Sequence, residues 1–415
     1  MTSIASPTLD RIRACALGHR ANPAAVRGRP YGAAQSAVLE PAAMTSARDE
    51  IGAWPGYTPT PLVDLPGLAA AAGIARLAVK DEGGRFGLGS FKALGGAYAV
   101  SRVLKARIAR ETGREPSTAD IRAGRYADIA RAMTVCCATD GNHGRSVAWG
   151  AQMFGVACVV YINAQVSTGR EQAIARFGAE VRRVDGTYDD AVHTAAADAA
   201  QNGWTVVSDT AYEGYTEVPC DVMAGYTVMA AEALDQWGPE PPSHVFVQAG
   251  VGGLAAAVCA CLWERLGPAR PRFVVVEPDK AACLFASVEE GRAATIAGDL
   301  NTIMAGLAAG ETSLVAWTLL EAGADDFLTV PDAAAEDCMR LLADGVPGDP
   351  AVVAGESAVA GLAGLLAARG RPETAVALGL DGDASVLLFL SEGDTDPVLY
   401  ERIVGRPAAS VRSAA

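Results

Sequence analysis

The sequence predicts an α/β protein built from two doubly wound domains with mostly parallel sheets, and three observations support this prediction. Nine short runs rich in β-branched residues alternate with Ala-rich stretches that are long enough for helices. Most of these runs are continuously apolar, as expected for parallel strands that are buried on both faces. The 415 residues of the chain are also enough for two domains, each with its own core.

The candidate strands follow one another from residue 76 onward. They are residues 76–81, 133–140, 157–163, 180–185, 204–209, 244–250, 272–278, 326–332 and 385–393. Stretches with helical composition separate most of them, which is the pattern of consecutive βαβ units. Residues 1–50 show little periodicity, and we expect an N-terminal arm there. We assign residues 51–95 and 205–415 to a large domain and residues 96–204 to a smaller, mobile domain.

Composition and charge exclude several classes of function. The net charge of −14 disfavours binding to nucleic acid or to an anionic membrane. The chain has no apolar run of about 18 residues, and its N-terminus does not resemble a secretory signal. The nine cysteines are scattered and the four histidines lack metal-ligand spacing. We therefore expect reduced thiols, a cytoplasmic protein and no metal site.

Ligands of doubly wound folds bind at the carboxyl ends of the strands, and a glycine turn lies at one of these ends. In "HVFVQAGVGGLAAAV" a strand runs into Gly250, Gly252 and Gly253, and a helix follows. Such a turn presents backbone N–H groups beside a helix N-terminus and can bind a phosphate without Lys or Arg. The spacing differs from the fingerprints of NAD and ATP sites. An ordinary glycine turn is the alternative.

A second strand end carries polar side chains in "ATDGNHGRSVAWGAQMFG". The N–H groups of the helix that follows could bind a substrate carboxylate, Asn142 could reach a phenolic oxygen, and Asp140 could accept a proton. The candidate substrate-binding residues here are Thr139, Asp140, Gly141 and His143. Asp-Gly-Asn is also a common turn and helix cap, which is the alternative.

The third feature is Lys92 in "RFGLGSFKALGGAY", a lysine among small and apolar residues. Burial at this place should lower the pKa of Lys92, and a neutral amine is the form that condenses with an aldehyde. The alternative is a lysine whose ammonium reaches the surface. Together, a nucleophilic lysine, a phosphate-binding turn and an Asn/carboxylate loop are the parts needed to bind pyridoxal phosphate as a Schiff base.

Longer segments carry a resemblance to a known family. "GSFKALGGAYAV" resembles the cofactor-binding segment of the tryptophan-synthase-β-like (fold type II) pyridoxal-phosphate enzymes. The following segments are similar to those of the diaminopropionate ammonia-lyase family: "TDGNHGRSVAWGAQMFG", "SDTAYEGYTEVP", "QAGVGGLAAAV", "VVEPDKAACL", "IMAGLAAGE", "GDPAVVAGESAVAGL" and "SEGDTDPVLYERIV". The resemblance runs in order from about residue 54 to residue 405.

The resemblance implies a cofactor and the residues that bind it. Lys92 would form the Schiff base with pyridoxal 5'-phosphate, and Asn142 would contact its phenolic oxygen. Ser391 would lie near the pyridine nitrogen and, as a hydroxyl, would leave that nitrogen largely unprotonated. The phosphate would be held by the backbone N–H groups of Gly250, Val251, Gly252 and Gly253.

The resemblance also implies a reaction. Two aspartates would act as alternative bases, Asp209 for the L isomer and Asp140 for the D isomer, and both would contact the substrate. The product of β-elimination from 2,3-diaminopropionate would be pyruvate with two ammonia, and the enzyme would be a homodimer. The alternatives are a serine/threonine-type dehydratase, a lyase for another β-substituted amino acid and, more distantly, a non-catalytic pyridoxal-phosphate-binding protein.

At one place the chain lacks a cysteine that members of the family often have, and this bears on a possible disulfide. Members of the family often have a cysteine in the segment that reads "GLAAGE" here, where this chain has Ala308 and Ala309. We therefore expect no disulfide from this segment to Cys283.

Overall fold

The structure is a computed structural model that describes residues 7–139 and 141–413, with the side chain of Asp189 left out. It contains two compact units. The larger comprises Met1–Glu40, Pro59–Ser90 and Met229–Ala415, and the smaller comprises Pro41–Thr58 and Phe91–Val228.

The strands are β1 (Gly18–Ala21), β2 (Leu62–Asp64), β3 (Arg76–Asp81), β4 (Thr134–Ala138), β5 (Ala157–Asn163), β6 (Glu180–Val184), β7 (Thr205–Val206), β8 (His244–Gln248), β9 (Arg272–Pro278), β10 (Asp326–Val330) and β11 (Ser385–Leu390). The first ten α-helices along the described chain are α1 (Pro7–Ala14), α2 (Ala33–Ser36), α3 (Pro41–Gly52), α4 (Pro66–Ala72), α5 (Lys92–Thr112), α6 (Thr118–Arg122), α7 (Ala127–Arg131), α8 (Asn142–Phe154), α9 (Thr168–Ala175) and α10 (Tyr188–Asn202). The others are α11 (Glu217–Trp237), α12 (Gly253–Leu266), α13 (Cys283–Glu290), α14 (Leu314–Gly323), α15 (Asp332–Asp344), α16 (Ala360–Arg369), α17 (Pro372–Leu378), α18 (Pro397–Val404) and α19 (Ala408–Arg412).

The larger unit contains a seven-stranded sheet in the order β1-β10-β9-β8-β11-β3-β2. Its five central strands are parallel, while β1 and β2 pair antiparallel at the two edges. The sequence predicts all five central strands, and most of the runs behind them are continuously apolar. It does not predict β1 or β2, since four and three partly exposed residues carry too little pattern.

The smaller unit contains a four-stranded parallel sheet in the order β6-β5-β4-β7. All four strands come from runs that the sequence predicts. The predicted fold class, α/β with mostly parallel sheets, is therefore confirmed.

The boundaries of the two units differ from those that the sequence predicts. Described residues before Glu40 belong to the larger unit, because β1 pairs with β10 and Arg11 of α1 forms an ion pair with Asp337 of α15. Residues 51–58, 91–95 and 205–228 belong to the smaller unit. One reason is that β7 pairs with β4 in the four-stranded sheet. The mobility of the smaller unit stays a prediction.

Glycine lets helices lie close to their neighbours in both units. A Cβ atom at Gly364 of α16 would come within 2.9 Å of the Val276 side chain of β9. In the smaller unit, a Cβ at Gly96 of α5 would lie 2.0 Å from Ser146 Oγ of α8. Glycine is therefore required at these two close approaches.

A buried network of charges fixes the turn that follows β3 in the larger unit. The Arg85 guanidinium donates to Glu82 and to Glu232 of α11 at 2.8 Å. The Lys80 ammonium lies 2.7 Å from Glu232 and donates to the Thr60 carbonyl at 2.6 Å. All four charged side chains are nearly inaccessible to solvent. Because the two cations and the two carboxylates balance in charge, the complete network is tolerated in a buried place. Loss of one member would leave an uncompensated buried charge.

Removal of one member of this network should destabilise the protein strongly. Arg85→Met would leave two buried carboxylates facing one lysine, and we expect a loss of about 3–5 kcal/mol in the free energy of unfolding, measured in urea. The control is Arg107→Met, which removes an ion pair with Glu111 on the surface of α5 and should cost less than about 1 kcal/mol. Equal losses in the two variants would show that the buried network does not hold the turn.

Candidate active site

The smaller unit places several of the predicted site residues at the carboxyl ends of two neighbouring strands. Thr139 directly follows β4, and Asp209 follows β7, which pairs with β4. Asn142 begins α8, next to the end of β4. Asp140 lies outside the described residues, so its predicted position is not tested.

Lys92 and Asp209, which are far apart in the sequence, form an ion pair. Lys92 is the first residue of α5, and its carbonyl accepts a hydrogen bond from Ser146 Oγ of α8 at 2.6 Å. The Lys92 ammonium contacts Asp209 Oδ2, and both side chains are largely buried. It also lies 5.7 Å from the centre of the Tyr226 ring. The ammonium is thus held between a carboxylate and an aromatic ring.

The structure contradicts the expected fall in the pKa of Lys92. Burial lowers this pKa, but the charge of Asp209 and the nearby Tyr226 outweigh burial, and the net shift is upward. For Asp209, burial raises the pKa, yet the Lys92 ammonium brings it well below the usual range. The sequence-based prediction of a lowered lysine pKa was wrong because sequence neighbours could not reveal the carboxylate.

The small residues around Lys92 have a packing role. A Cβ atom at Gly95 would lie 2.3 Å from Cε1 of the buried Tyr226. A Cβ at Gly225 would lie 2.3 Å from the Leu94 carbonyl oxygen. Glycines on both helices therefore permit Tyr226 and the start of α5 to approach each other. The sequence analysis missed Tyr226 because its place beside Lys92 follows only from this packing.

His143 lies next to Asp209. Its Nε2 is 2.8 Å from the carbonyl of Val207, and its Nδ1 is 3.7 Å from Asp209 Oδ2. Because a carbonyl only accepts, Nε2 carries the proton. Burial lowers the pKa of His143 despite the opposing charge of Asp209, so the imidazole is neutral. Contact of His143 with substrate stays a prediction.

Tyr215 fixes the backbone in front of Asp209. Its hydroxyl accepts from the N–H of Ser208 at 2.9 Å and donates to the carbonyl of Val206 at 3.0 Å. One side chain thus holds both sides of Val207, next to the catalytic candidate. The sequence analysis did not single out Tyr215, although it belongs to the quoted segment "SDTAYEGYTEVP".

Thr139 organises the turn between β4 and α8. Its Oγ1 accepts from the N–H groups of Gly141 at 3.0 Å and of Gly144 at 3.1 Å. Because both bonds lie within the turn, the observed role of Thr139 is to shape the loop. Substrate binding by Thr139 and Gly141 stays a prediction.

The larger unit holds the predicted phosphate loop at the carboxyl end of β8. Gly252 has a φ of +104°, a conformation that favours glycine, and precedes α12 without a side-chain cap. The Val251 carbonyl accepts from the N–H of Ser313 at 3.0 Å, which fixes the loop. A Cβ at Gly250 would come within 3.2 Å of Leu307 Cα. The backbone amides at this helix start are chemically suited to a phosphate.

Ser391 directly follows β11, the neighbour of β8. It is nearly buried, and its Oγ accepts a hydrogen bond from Gln248 Nε2 at 2.7 Å. The loop and this hydroxyl therefore lie at neighbouring strand ends, a suitable arrangement for a phosphorylated aromatic ring. Gln248 is a residue that the sequence analysis missed, because a glutamine inside an apolar strand gives no signal about its partner.

Within the described residues, no group of three or more His, Cys, Asp or Glu side chains is arranged to bind a metal ion. All nine cysteines are free, including Cys283. No described helix is long and apolar enough to cross a membrane.

Comparisons with known proteins agree with this architecture. The family model described as "Pyridoxal-phosphate dependent enzyme" matches residues 53–391. A diaminopropionate ammonia-lyase from Escherichia coli K12 is 40% identical over 358 residues, which cover 84% of this chain and 88% of the relative. The chain therefore belongs to the pyridoxal-phosphate-dependent enzymes and, among them, to the diaminopropionate ammonia-lyase family.

Two solved structures show the same relationship in three dimensions. The holo form of diaminopropionate ammonia-lyase from Escherichia coli matches with a TM-score of 0.84 at 36% identity, covering 94% of this chain and 97% of that one. The same enzyme in complex with an aminoacrylate–PLP azomethine reaction intermediate matches with a TM-score of 0.82 at 36% identity and the same coverage. The predictions of a fold type II enzyme, a pyridoxal-phosphate cofactor and lyase chemistry are confirmed. The roles of individual residues stay predictions.

Replacing the carboxylate next to Lys92 should reverse the shift in the pKa of the lysine. In Asp209→Asn burial still lowers this pKa, while the main opposing charge is gone. We expect a fall of about 1–3 units relative to the unmodified protein, measured by NMR titration of lysine side chains in the cofactor-free protein. The control is Asp198→Asn. Asp198 lies on α10 and forms an ion pair with Arg182 of β6, so this substitution should leave the pKa of Lys92 unchanged. A Lys92 pKa that is unmoved in Asp209→Asn would contradict this assignment.

Proposed function

We propose that this protein converts 2,3-diaminopropionate, as the D isomer, the L isomer or both, to pyruvate and two ammonia. The observation that carries the proposal is the Lys92–Asp209 ion pair, which puts a candidate general base at the candidate cofactor lysine. Membership of the family supports the reaction type. The intermediate seen in the Escherichia coli relative is an aminoacrylate, which is the species left after a β-substituent departs.

The residues divide between holding the cofactor and moving protons. Lys92 would bind the aldehyde, Asn142 the phenolic oxygen and Ser391 the ring nitrogen. The phosphate would bind to the backbone of Gly250, Val251, Gly252 and Gly253. When bound, pyridoxal phosphate supplies the electron sink that makes the α-proton of the substrate removable.

Proton removal is assigned to the two aspartates. Asp209 would take the α-proton of the L isomer, and Asp140 that of the D isomer. Asp209 is well placed for this role because Tyr215 and His143 fix the backbone beside it, as described above. In the cofactor-free protein, the lowered pKa keeps Asp209 ionised and able to accept a proton at neutral pH.

The choice of substrate follows from charge. Diaminopropionate carries a second ammonium on Cβ, and burying that charge is less costly beside a carboxylate. Serine and threonine lose a neutral hydroxyl group, so paired carboxylates would stabilise them less in the site than they would stabilise diaminopropionate. A serine/threonine-type dehydratase is therefore only the second candidate. We also propose, from the family resemblance alone, that the enzyme is a homodimer and, from its scattered cysteines, that it is cytoplasmic.

The test of the reaction is ketoacid release from the cofactor-loaded protein. D- and L-diaminopropionate, serine and threonine are supplied separately, and 2-oxo acid is measured. We expect pyruvate from at least one diaminopropionate isomer and far less product from serine and threonine. Turnover of serine or threonine alone would show that the enzyme is a dehydratase. If Lys92→Ala kept its full activity, the assignment of Lys92 would be refuted.

The two-base assignment predicts opposite stereochemical losses. Asp209→Asn should lower kcat for the L isomer by about 10²–10⁴-fold and leave the D isomer much less affected. Asp140→Asn should do the reverse, and Asp198→Asn should change neither. Equal losses on both isomers in each variant would show that the aspartates do not divide the work by stereochemistry.

A further inference from the structure

Gln248 and Ser391 lie side by side at the carboxyl ends of β8 and β11 in the larger unit. Gln248 has no exposed surface, and Ser391 is 4% exposed. The single nitrogen Nε2 of Gln248 lies 2.8 Å from the carbonyl oxygen of Phe389 and 2.7 Å from Ser391 Oγ. These two contacts determine which groups donate and which accept between the three residues.

The peptide carbonyl of Phe389 can only accept a hydrogen bond, so the amide group of Gln248 must present its nitrogen to it. The amide nitrogen can only donate and has two hydrogens, one for Phe389 and one for Ser391. Ser391 Oγ is therefore the acceptor in this pair. Because a hydroxyl carries one hydrogen, the O–H of Ser391 must point away from Gln248 and stays free to donate elsewhere.

We propose that Gln248 is a positioning residue that, by donating to Ser391, commits the Ser391 hydroxyl to act as a hydrogen-bond donor to the pyridine nitrogen of the cofactor. The proposal rests on the proposed function, which places Ser391 at that nitrogen. A ring nitrogen accepts a hydrogen bond only when it is unprotonated. Gln248 thereby stabilises the unprotonated ring, without touching the cofactor itself.

A purely structural role explains the glutamine less well. Oε1 of Gln248 is buried and has no hydrogen-bond partner among the described residues. An unsatisfied buried oxygen destabilises a fold, and an apolar side chain would avoid this loss at a strand position surrounded by core. The glutamine is consistent with a requirement for the donor that faces Phe389 and Ser391.

The decisive variant is Gln248→Glu, which keeps the size of the side chain but removes one donor. A buried carboxyl beside a carbonyl is held protonated, and its one O–H must donate to Phe389. The same hydroxyl oxygen also faces Ser391 Oγ. It has no second hydrogen to donate and can only accept from Ser391, which uses the hydrogen that the ring nitrogen needs. We expect the ring nitrogen to become protonated, as measured by ¹⁵N NMR of the protein reconstituted with ¹⁵N-labelled pyridoxal phosphate. In the unmodified protein the same signal should report an unprotonated nitrogen.

Two further variants keep the test decisive. Gln248→Leu removes both donors without adding an acceptor, and should weaken cofactor binding by about two- to tenfold in a fluorescence titration. Ser391→Ala should change the ring-nitrogen signal if Ser391 faces the ring. If Ser391→Ala leaves that signal unchanged, the proposed cofactor placement fails. If Ser391→Ala changes it but both Gln248 variants bind cofactor normally with the unmodified signal, the placement stands and the role of Gln248 is refuted.

Discussion

A parallel sheet brings the carboxyl ends of its neighbouring strands together, and the placement of the candidate site residues within each unit depends on this constraint. In the smaller unit, β4 and β7 pair, so Thr139 and Asp209 come from segments about 70 residues apart and meet at one edge. In the larger unit, β8 and β11 pair, which brings the phosphate loop to Ser391. In each unit, the order of the strands thus determines which candidate site residues lie next to each other.

Within the smaller unit, the reactive groups are controlled by one another. The Lys92 ammonium lowers the pKa of Asp209, and the Asp209 carboxylate raises that of Lys92 against the effect of burial. A proton-accepting carboxylate therefore stays ionised in a buried place. Before Lys92 can act as a nucleophile it must lose its proton, so loading of the cofactor and the charge of Asp209 are coupled.

Close packing of small residues supports this arrangement. Gly95 lets Tyr226 approach α5, and Gly96 lets α8 approach the same helix, so that Ser146 reaches the Lys92 carbonyl. In the larger unit, the buried charges around Arg85 hold the turn just before this segment. These two glycines of α5 therefore have a direct structural role, which is to allow short distances between the helix and its neighbours.

The sequence by itself determined the fold class, the central strands and the cofactor, because apolar runs and glycine turns are local patterns. It could not give β1 or β2, whose pairing depends on a distant partner strand. Nor could it give the roles of Tyr215, Tyr226 and Gln248, or the raised pKa of Lys92. Those follow from contacts between residues far apart in the chain, and only the tertiary structure decides which carboxylate, hydroxyl or carbonyl a side chain meets.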